Sequence, residues 1–315
     1  AALKAQVGEA WTKYRTARAA SAVPAGGAVE PVVPAPIARY SFDSLEGGKA
    51  PNLVSTNGAA EGALKLVEGA AGQGLEFNGD DSVVCKGIGK FARTDPFTIG
   101  LRIRPAELKP RAVVFHRSVA WTDSGSRGYE LVLDAGRPFF GLIHFWPGNA
   151  IGVRAKKPLP LDAWSHVTVT YDGSSRADGV RLYVNGQPAE CEVVRDNLYK
   201  DIRHRGEWGD SDGNGLSLTL GARFRVNGFR RGRVDDLVVH DVELTAGEVA
   251  RAAGLTGEWS AEERRAWFAA RSDAGVKAAL AASTWLGWIS VLPSKPKATA
   301  CAHCATRPSR SSSAL

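Results

Sequence analysis

Oxygen-bearing side chains alternate along one short stretch of the chain, which reads Asp210-Ser-Asp212-Gly-Asn214-Gly215. Oxygens at alternate positions can converge on one Ca²⁺, and the glycine at the sixth position permits the sharp turn that such loops make. The twelfth position, where calcium loops of this type hold a glutamate, is Gly221. The stretch therefore predicts either a calcium-binding loop or a polar hairpin loop whose Asp, Asn and Gly serve turn geometry.

Three tryptophans, Trp121, Trp146 and Trp208, lie in stretches rich in Gly, Asp and Pro. Sugar-binding sites place aromatic faces beside hydrogen-bonding groups, often on loops. Arg223 and Arg225 open the run RFRVNGFRRGR, whose arginines together can attract an anionic glycan. These five residues are candidate ligand-binding residues. The alternatives are loop or core packing for the tryptophans and a solvated basic loop for the arginines.

Two thiols and one imidazole come together near the C-terminus, in Cys301-Ala-His303-Cys304. Covalent haem attachment requires histidine directly after the second cysteine, and Ala305 stands there. Structural zinc requires four ligands, and three are near. We therefore expect no haem in this segment and interpret these cysteines as incidental. A disulfide between the two other cysteines, Cys85 and Cys191, is possible but cannot be deduced from sequence.

The net charge of +7 falls mainly on the ends of the chain. Residues 283–315 carry four basic and no acidic residues, and residues 1–30 carry four basic against two acidic residues. A nucleic-acid-binding domain should show a basic face on its folded body, so we predict no nucleic-acid partner. No run of 18 apolar residues appears, so we also predict no membrane span.

Two strands are predicted between Ala163 and Gly186, because apolar and polar residues alternate there. The apolar positions are Val167, Val169, Tyr171, Val180, Leu182 and Val184. Period-two alternation of β-branched and aromatic residues is typical of half-buried antiparallel strands. Asn185-Gly186 predicts a type I′ turn into a third strand, because both central residues of that turn need positive φ.

Short strands separated by Gly, Asp and Pro turns continue from about residue 37 to residue 243. This spacing predicts an all-β fold, a sandwich or jelly roll of two antiparallel sheets with short flanking helices. Further strands are expected at 64–67, 74–78, 82–85, 112–117, 128–134, 138–145, 150–155, 189–194, 216–221 and 233–240.

Segments of different character flank the predicted sandwich. An apolar stripe through Leu3, Val7, Trp11 and Tyr14 predicts a helix. Two capping boxes, Thr245-x-x-Glu248 and Ser260-x-x-Glu263, predict helices after the last strand. The expected organisation is a helix from a preceding domain at 1–20, a Pro/Ala/Gly linker at 21–36, the jelly-roll domain at 37–254, a helix opening a following domain at 255–282, and a disordered tail at 283–315.

Six stretches match a known pattern in order. They read ARYSFD at 38–43, GLEFNGDD at 74–81, PFTIGLRIR at 96–104, WSHVTVTYDG at 164–173, VRLYVNG at 180–186 and GRVDDLVV at 232–239. As a set they resemble the LamG-like, concanavalin A-like jelly roll of lectins and glucanases, with Leu101 in place of the usual Trp. The loop chemistry, with LTAGE at 244–248, is similar to the LamG insert of large planctomycete proteins, which join it to a cytochrome-c-like domain and two domains of unknown function.

The resemblance implies a metal site and a location. LamG-like jelly rolls often hold a structural Ca²⁺ where the first and last strands meet, and Asp43 and Asp235 match those positions. Turn capping or salt bridges to arginines are the alternative roles. An extracytoplasmic location, periplasmic or secreted, is also implied. Glucanases of the superfamily carry paired carboxylates as E-x-D-x-E; the nearest stretch here, Glu207-x-x-Asp210-x-Asp212, has a different spacing.

Three functions follow from these residues. The first is a non-catalytic binding module for carbohydrate or another extracellular ligand, with a possible structural calcium. The second is a structural insert that spaces or docks neighbouring domains of a larger chain. The third, a glycoside hydrolase, is disfavoured by the absence of a matching carboxylate pair, so we predict no enzyme activity. Exposed aromatic residues clustered at one edge would favour the first function; their burial against the flanking helices would favour the second.

Overall fold

A computed structural model describes residues 31–118, 127–204, 216–222 and 227–271. The strands in these ranges are β1 Ala38–Tyr40, β2 Ala60–Gly62, β3 Leu66–Glu68, β4 Gln73–Glu76, β5 Val83–Cys85, β6 Phe97–Arg104, β7 Ala112–Ser118, β8 Gly128–Asp134, β9 Arg137–Phe145, β10 Asn149–Ala155, β11 Ser165–Tyr171, β12 Val180–Val184, β13 Gln187–Pro188, β14 Cys191–Asp196, β15 Leu218–Leu220 and β16 Arg233–His240. A 3-10 turn spans Ala177–Gly179, and helices α1 Ala246–Ala252 and α2 Ala261–Arg271 follow β16.

The strands form two antiparallel sheets. Sheet A has the order β13-β12-β11-β6-β16-β4-β3, and β1 pairs with β16 beside this path. Sheet B has the order β14-β10-β9-β8-β7-β15-β5-β2. One hydrophobic core takes its side chains from both sheets. The predicted all-β jelly-roll sandwich is therefore confirmed. Within the described ranges, no helix is long and apolar enough to span a membrane.

The predicted meander at residues 163–186 forms as expected. Val167 pairs with Val184 and Tyr171 with Val180 across β11 and β12. Asn185 and Gly186 both have positive φ, 52° and 76°, as a type I′ turn requires. The Asn185 side-chain oxygen also accepts a hydrogen bond from the His166 amide at 2.8 Å, which ties the turn to the start of β11.

Aromatic rings occupy the centre of the core. Phe97 from sheet A lies 5.5 Å from Tyr129 and 6.1 Å from Phe140, both of sheet B, between ring centroids. Phe91 stacks on Phe97 at 4.5 Å. Offset and edge-on aromatic contacts of this kind contribute roughly 0.5–1.5 kcal/mol each beyond the burial of their area. These rings therefore fix how the two sheets face each other.

The two ends of the described chain meet on the same side of sheet A. Val33 packs with Tyr183, Leu244 and Val249, and the Trp267 indole donates a hydrogen bond to the Val32 carbonyl at 3.0 Å. Both α1 and α2 begin at the capping boxes expected from the sequence. The helices thus lie where the chain enters the sandwich.

Trp164, which opens the matched stretch at 164–173, is partly exposed just before β11. One pairing considered from the sequence is absent from the structure. Cys85 and Cys191 are free thiols, so the possible disulfide does not form. Five strands separate them in sheet B, because Cys85 lies on β5 and Cys191 on β14 at the opposite edge. Neighbouring strands lie about 4.8 Å apart, so five intervening strands place the two cysteines much farther apart than the roughly 7 Å that a disulfide can span between Cα atoms.

Thr98 and Thr170 form a matched pair of buried threonines on β6 and β11. Thr98 Oγ1 donates to the Val242 carbonyl and accepts from the Leu244 amide, both at 2.9 Å, whereas Thr170 Oγ1 has no hydrogen-bond partner among the described residues. Thr98→Val should lower the free energy of unfolding by about 1–3 kcal/mol, because two buried backbone groups lose their partner. Thr170→Val should be neutral or stabilising. Urea unfolding of both variants tests this, and equal losses would contradict it.

Candidate ligand-binding site

Three of the candidate site residues lie in the described chain: Asp43, Asp235 and Trp146. The others lie outside the described residues: Trp121, Trp208, Asp210, Asp212, Asn214, Arg223 and Arg225. The structure therefore tests neither the oxygen-rich stretch nor the basic run. It separates the remaining candidates into a pair of carboxylates at β16 and one tryptophan at a turn of sheet B.

Asp235 lies at an irregular point of β16. The strands β4 and β1 pair with successive parts of β16, and the register along β6 shifts between Asp235 and Val238. Asp235 Oδ2 accepts hydrogen bonds from the amides of Ala70 at 2.8 Å and Ala71 at 3.1 Å. Its Oδ1 accepts from the Asp236 amide at 2.7 Å. This buried carboxylate therefore caps the turn between β3 and β4.

Asp43 contacts the same turn from the end of β1. Its Oδ1 accepts from the Gln73 amide at 3.0 Å, and a Cβ at Gly72 would lie 2.1 Å from that oxygen. Gly72 has φ +67°, so both its conformation and the space around it favour glycine. The two predicted carboxylates are thus brought to one turn, Gly69 to Gln73.

The pKa values of the two carboxylates are shifted in opposite directions. The Gln73 amide, with the Ser41 hydroxyl, holds the pKa of Asp43 below its usual value. Burial raises the pKa of Asp235, against the effect of the amides that it accepts from. Turn capping, one of the two roles expected from the sequence, accounts for these contacts. Calcium at Asp43 and Asp235 stays a prediction: the described ranges contain no group of three or more His, Cys, Asp or Glu placed to hold a metal.

Trp146 lies in the turn between β9 and β10 and folds back over the outer face of sheet B, the face directed away from sheet A. Its ring meets Phe139 edge-on, with centroids 5.7 Å apart. Gly152 and Gly141 pair beneath these rings, and a Cβ at Gly152 would lie 3.1 Å from the Trp146 ring. The Arg195 guanidinium lies 5.9 Å from the ring centroid. Trp146 is therefore partly packed and partly accessible.

Two further aromatic side chains lie beside this turn, and both are well exposed. Phe145 is 69% exposed and Tyr199 is 59% exposed. Phe145 pairs with Asn149, whose buried side-chain oxygen accepts hydrogen bonds from the amides of Tyr199 at 3.0 Å and Lys200 at 3.3 Å. We call Phe145, Trp146 and Tyr199 the aromatic edge.

The outer face of sheet B also carries carboxylates, each in contact with arginine. Glu192 contacts Arg154 at 2.8 Å and Arg137 at 3.5 Å. Asp134 contacts Arg154 as well, and the buried Glu130 contacts Arg111. Paired in this way, Glu130, Asp134 and Glu192 serve as anchors for guanidinium groups on this face.

Sequence reasoning missed Phe145, Asn149 and Tyr199. Phe145 carried a signal, because Phe139, Gly141, Ile143 and Phe145 alternate along β9 with the core residues and give the strand a second apolar face. No signal in the local sequence pointed to Tyr199, because its contact with Asn149 joins residues 50 positions apart.

A model of the family described as the concanavalin A-like lectin/glucanases superfamily matches residues 77–250, more than half of the chain. The chain belongs to this superfamily. A search of curated proteins finds no match. Among solved structures, the binding domain of Paraclostridial Mosquitocidal Protein 1 is similar, with a TM-score of 0.50 and 16% identity over 69% of this chain and 51% of that one. At this identity the likeness shows the fold alone.

Two other solved structures have lower TM-scores. The Botulinum Neurotoxin serotype G binding domain has a TM-score of 0.49 and 15% identity, covering 70% of this chain and 51% of that one. Domain 4 of an extracellular GH43 arabinanase from Geobacillus stearothermophilus, solved with arabinotriose, has a TM-score of 0.45 and 18% identity, covering 69% and 97%. The chain spans about half the length of the two toxin domains.

Asp235→Asn and Asp43→Asn should change the pH dependence of stability in opposite directions. The folded state binds the Asp235 proton more tightly than the unfolded state does. The contribution of this proton to the free energy of unfolding is therefore complete below the unfolded pKa of about 4, and it is lost as pH rises through the raised pKa of the folded state. The contribution of Asp43 is present above that pH and is lost as pH falls. Urea unfolding of wild type and both variants from pH 3.5 to 7 checks this; differences from wild type with the same sign would contradict it.

Proposed function

We propose that the chain is a non-catalytic binding module whose ligand is a carbohydrate bound at the aromatic edge. The observation that carries this proposal is that three aromatic residues lie at one turn, with Phe145 and Tyr199 both more than half exposed. Singly exposed apolar residues are normal on protein surfaces, whereas several exposed aromatic residues at one turn favour an interaction site. Sugar rings present apolar C–H faces that such rings can stack against.

The aromatic edge combines apolar faces with hydrogen-bonding groups, as carbohydrate recognition requires. Arg195 lies by the Trp146 ring, and the Asn197 side chain donates to the Gly148 carbonyl at 2.6 Å within the same turn. The Asn149 side chain fixes the backbone at Tyr199, so less backbone freedom is lost when a ligand binds there.

A purely binding role agrees with the pairing of the carboxylates on sheet B with arginines. A glycosidase needs one carboxyl group to donate a proton and a second to act as nucleophile or base. Asp134 and Glu192 share Arg154 instead, and Glu130 is buried against Arg111. We therefore propose that the module binds its glycan without cleaving it. An extracytoplasmic location and neighbouring domains in a longer chain are part of the same proposal, and they rest on the family resemblance.

The second candidate function is a structural insert that spaces neighbouring domains. One observation favours it: the chain enters at Val32 and Val33 beside the helices by which it leaves, with Trp267 bonded to Val32. A domain whose ends meet can be carried within a longer chain without displacing its neighbours. The binding module requires the aromatic edge to bind a glycan, whereas the structural insert does not.

Tyr199→Ala and Phe145→Ser should weaken glycan binding about tenfold each, a loss of about 1.4 kcal/mol, because aromatic anchors contribute most at such sites. Both side chains are exposed, so the unfolding temperature should not change. Leu108→Ala is the matched control, since Leu108 is 64% exposed away from the aromatic edge. A glycan array followed by calorimetry measures the effect. Failure of the wild type to bind any glycan, or unchanged affinity in both variants, would reject the binding site and favour the insert.

Calcium is the structural ligand proposed for Asp43 and Asp235, or for Asp210, Asp212 and Asn214. We expect millimolar CaCl₂ to raise the unfolding temperature relative to EDTA, because a ligand of the native state stabilises it by mass action. Asp43→Asn and Asp210→Asn, compared side by side, locate the site. MgCl₂ at equal ionic strength is the control, and identical unfolding temperatures in EDTA and CaCl₂ would remove calcium from the proposal.

A further inference from the structure

Five asparagines of the chain are each followed directly by glycine: Asn57, Asn78, Asn185, Asn214 and Asn227. This dipeptide can modify itself, because the amide nitrogen of the glycine can attack the side-chain carbonyl carbon of the asparagine. The attacking nitrogen loses its proton, a new C–N bond closes a five-membered succinimide, and the side-chain amide leaves as ammonia. Water then opens the ring to aspartate or isoaspartate. Glycine favours the attack because it has no Cβ to obstruct the approach.

Hydrogen bonds hold the side chains of two of these asparagines. Asn78 Oδ1 accepts from the amides of Asp80 and Asp81, both at 2.8 Å, and its Nδ2 donates to the Asp81 carboxylate at 2.6 Å. Asn185 Oδ1 accepts from the His166 amide at 2.8 Å. Each of these bonds must break before the side chain can turn toward the following amide, so the fold protects both sites.

Asn57 lies in the loop between β1 and β2, and its side chain is exposed. Within the described part of the chain, the hydrogen bonds of Asn57 are made by its backbone: its amide donates to Ser55 Oγ at 3.2 Å, and its carbonyl accepts from Asn52 Nδ2 at 3.1 Å. The amide of Gly58, which is the attacking group, donates to no backbone carbonyl of the described residues. The side chain of Asn57 can therefore turn toward this amide without breaking a bond of its own.

We propose that Asn57-Gly58 is a self-modification site, at which the folded protein forms aspartate and isoaspartate faster than it does at Asn78 or Asn185. Asn214 lies outside the described residues and Asn227 borders them, so neither is compared. The reaction needs water and the chain's own groups. Both products add one negative charge, and isoaspartate also routes the backbone through the former side chain, which lengthens it by one carbon atom.

The loop that carries Asn57 is anchored to β1 by buried Asn52. Asn52 Oδ1 accepts from the Arg39 amide at 3.1 Å, while its Nδ2 holds the Asn57 carbonyl. The Tyr40 hydroxyl donates to the Gly58 carbonyl. Isoaspartate at position 57 displaces the first of these carbonyl groups and shifts the second, so it loosens the loop from β1. Aspartate leaves the backbone unchanged and keeps both contacts.

Peptide mapping of the full-length protein, aged in mildly alkaline buffer with and without urea, measures the reaction at each site. The rate in urea gives the intrinsic reactivity of each Asn-Gly pair without the fold. The ratio of the folded to the unfolded rate should be at least about tenfold higher at Asn57 than at Asn78 or Asn185, because a side-chain hydrogen bond slows the reaction by about that factor. A ratio at Asn57 no higher than at the other two would overturn the site.

Two variants test the consequence for β1. Asn57→Gln keeps an amide but would have to close a six-membered ring, so it should form no isoaspartate here. After equal ageing, wild type that carries isoaspartate at position 57 should unfold roughly 2–4 °C below Asn57→Gln. Fresh Asn57→Asp, which adds the charge alone, should unfold like fresh wild type. Equal unfolding temperatures for aged wild type and aged Asn57→Gln would overturn the loosening of the loop, while the peptide map would still decide the modification site.

Discussion

Packing between the inner faces of the two sheets is the interaction on which the rest of the molecule depends. Phe97, Tyr129 and Phe140 meet in the middle of the core, and each sets the register of its strand. Because neighbouring residues of a strand point to opposite faces, a buried Tyr129 places Glu130 outside, and a buried Phe140 places Phe139 outside. The outer face of sheet B, with its arginine–carboxylate network and its support for Trp146, is therefore determined by the core.

The loops at the end of sheet B are held by a few polar side chains that reach across the chain. Asn149 accepts the amides of Tyr199 and Lys200, and Asp201 accepts those of Arg93 and Ile202. Asp235 does the same for the turn between β3 and β4. Hydrogen bonds to charged groups contribute about 1.5–3 kcal/mol net, and neutral ones about 1 kcal/mol. Such contacts give loop residues the fixed positions that a rigid scaffold gives a binding site.

The fold was predictable because its signals are local. Alternation along β11 and β12 and the Asn185-Gly186 turn specify strands and their pairing within about twenty residues. The candidate site was predictable only in part. Trp146 could be selected from its turn, but Tyr199 depends on a contact with Asn149 that no local pattern encodes. The possible Cys85–Cys191 disulfide shows the same limit, because the order of strands in sheet B decides the separation.

The meeting of the two chain ends at sheet A has a mechanical consequence. Ala38 of β1 pairs with Val239 of β16, and Tyr40 pairs with Leu237, so the start of β1 lies beside the end of β16. Tension applied through the flanking segments would first load the Trp267–Val32 hydrogen bond and then peel β1 away one pair at a time. Unzipping needs far less force than shearing all the bonds of a ladder together. Under load the domain would lengthen early, while the aromatic core of the sandwich stayed packed.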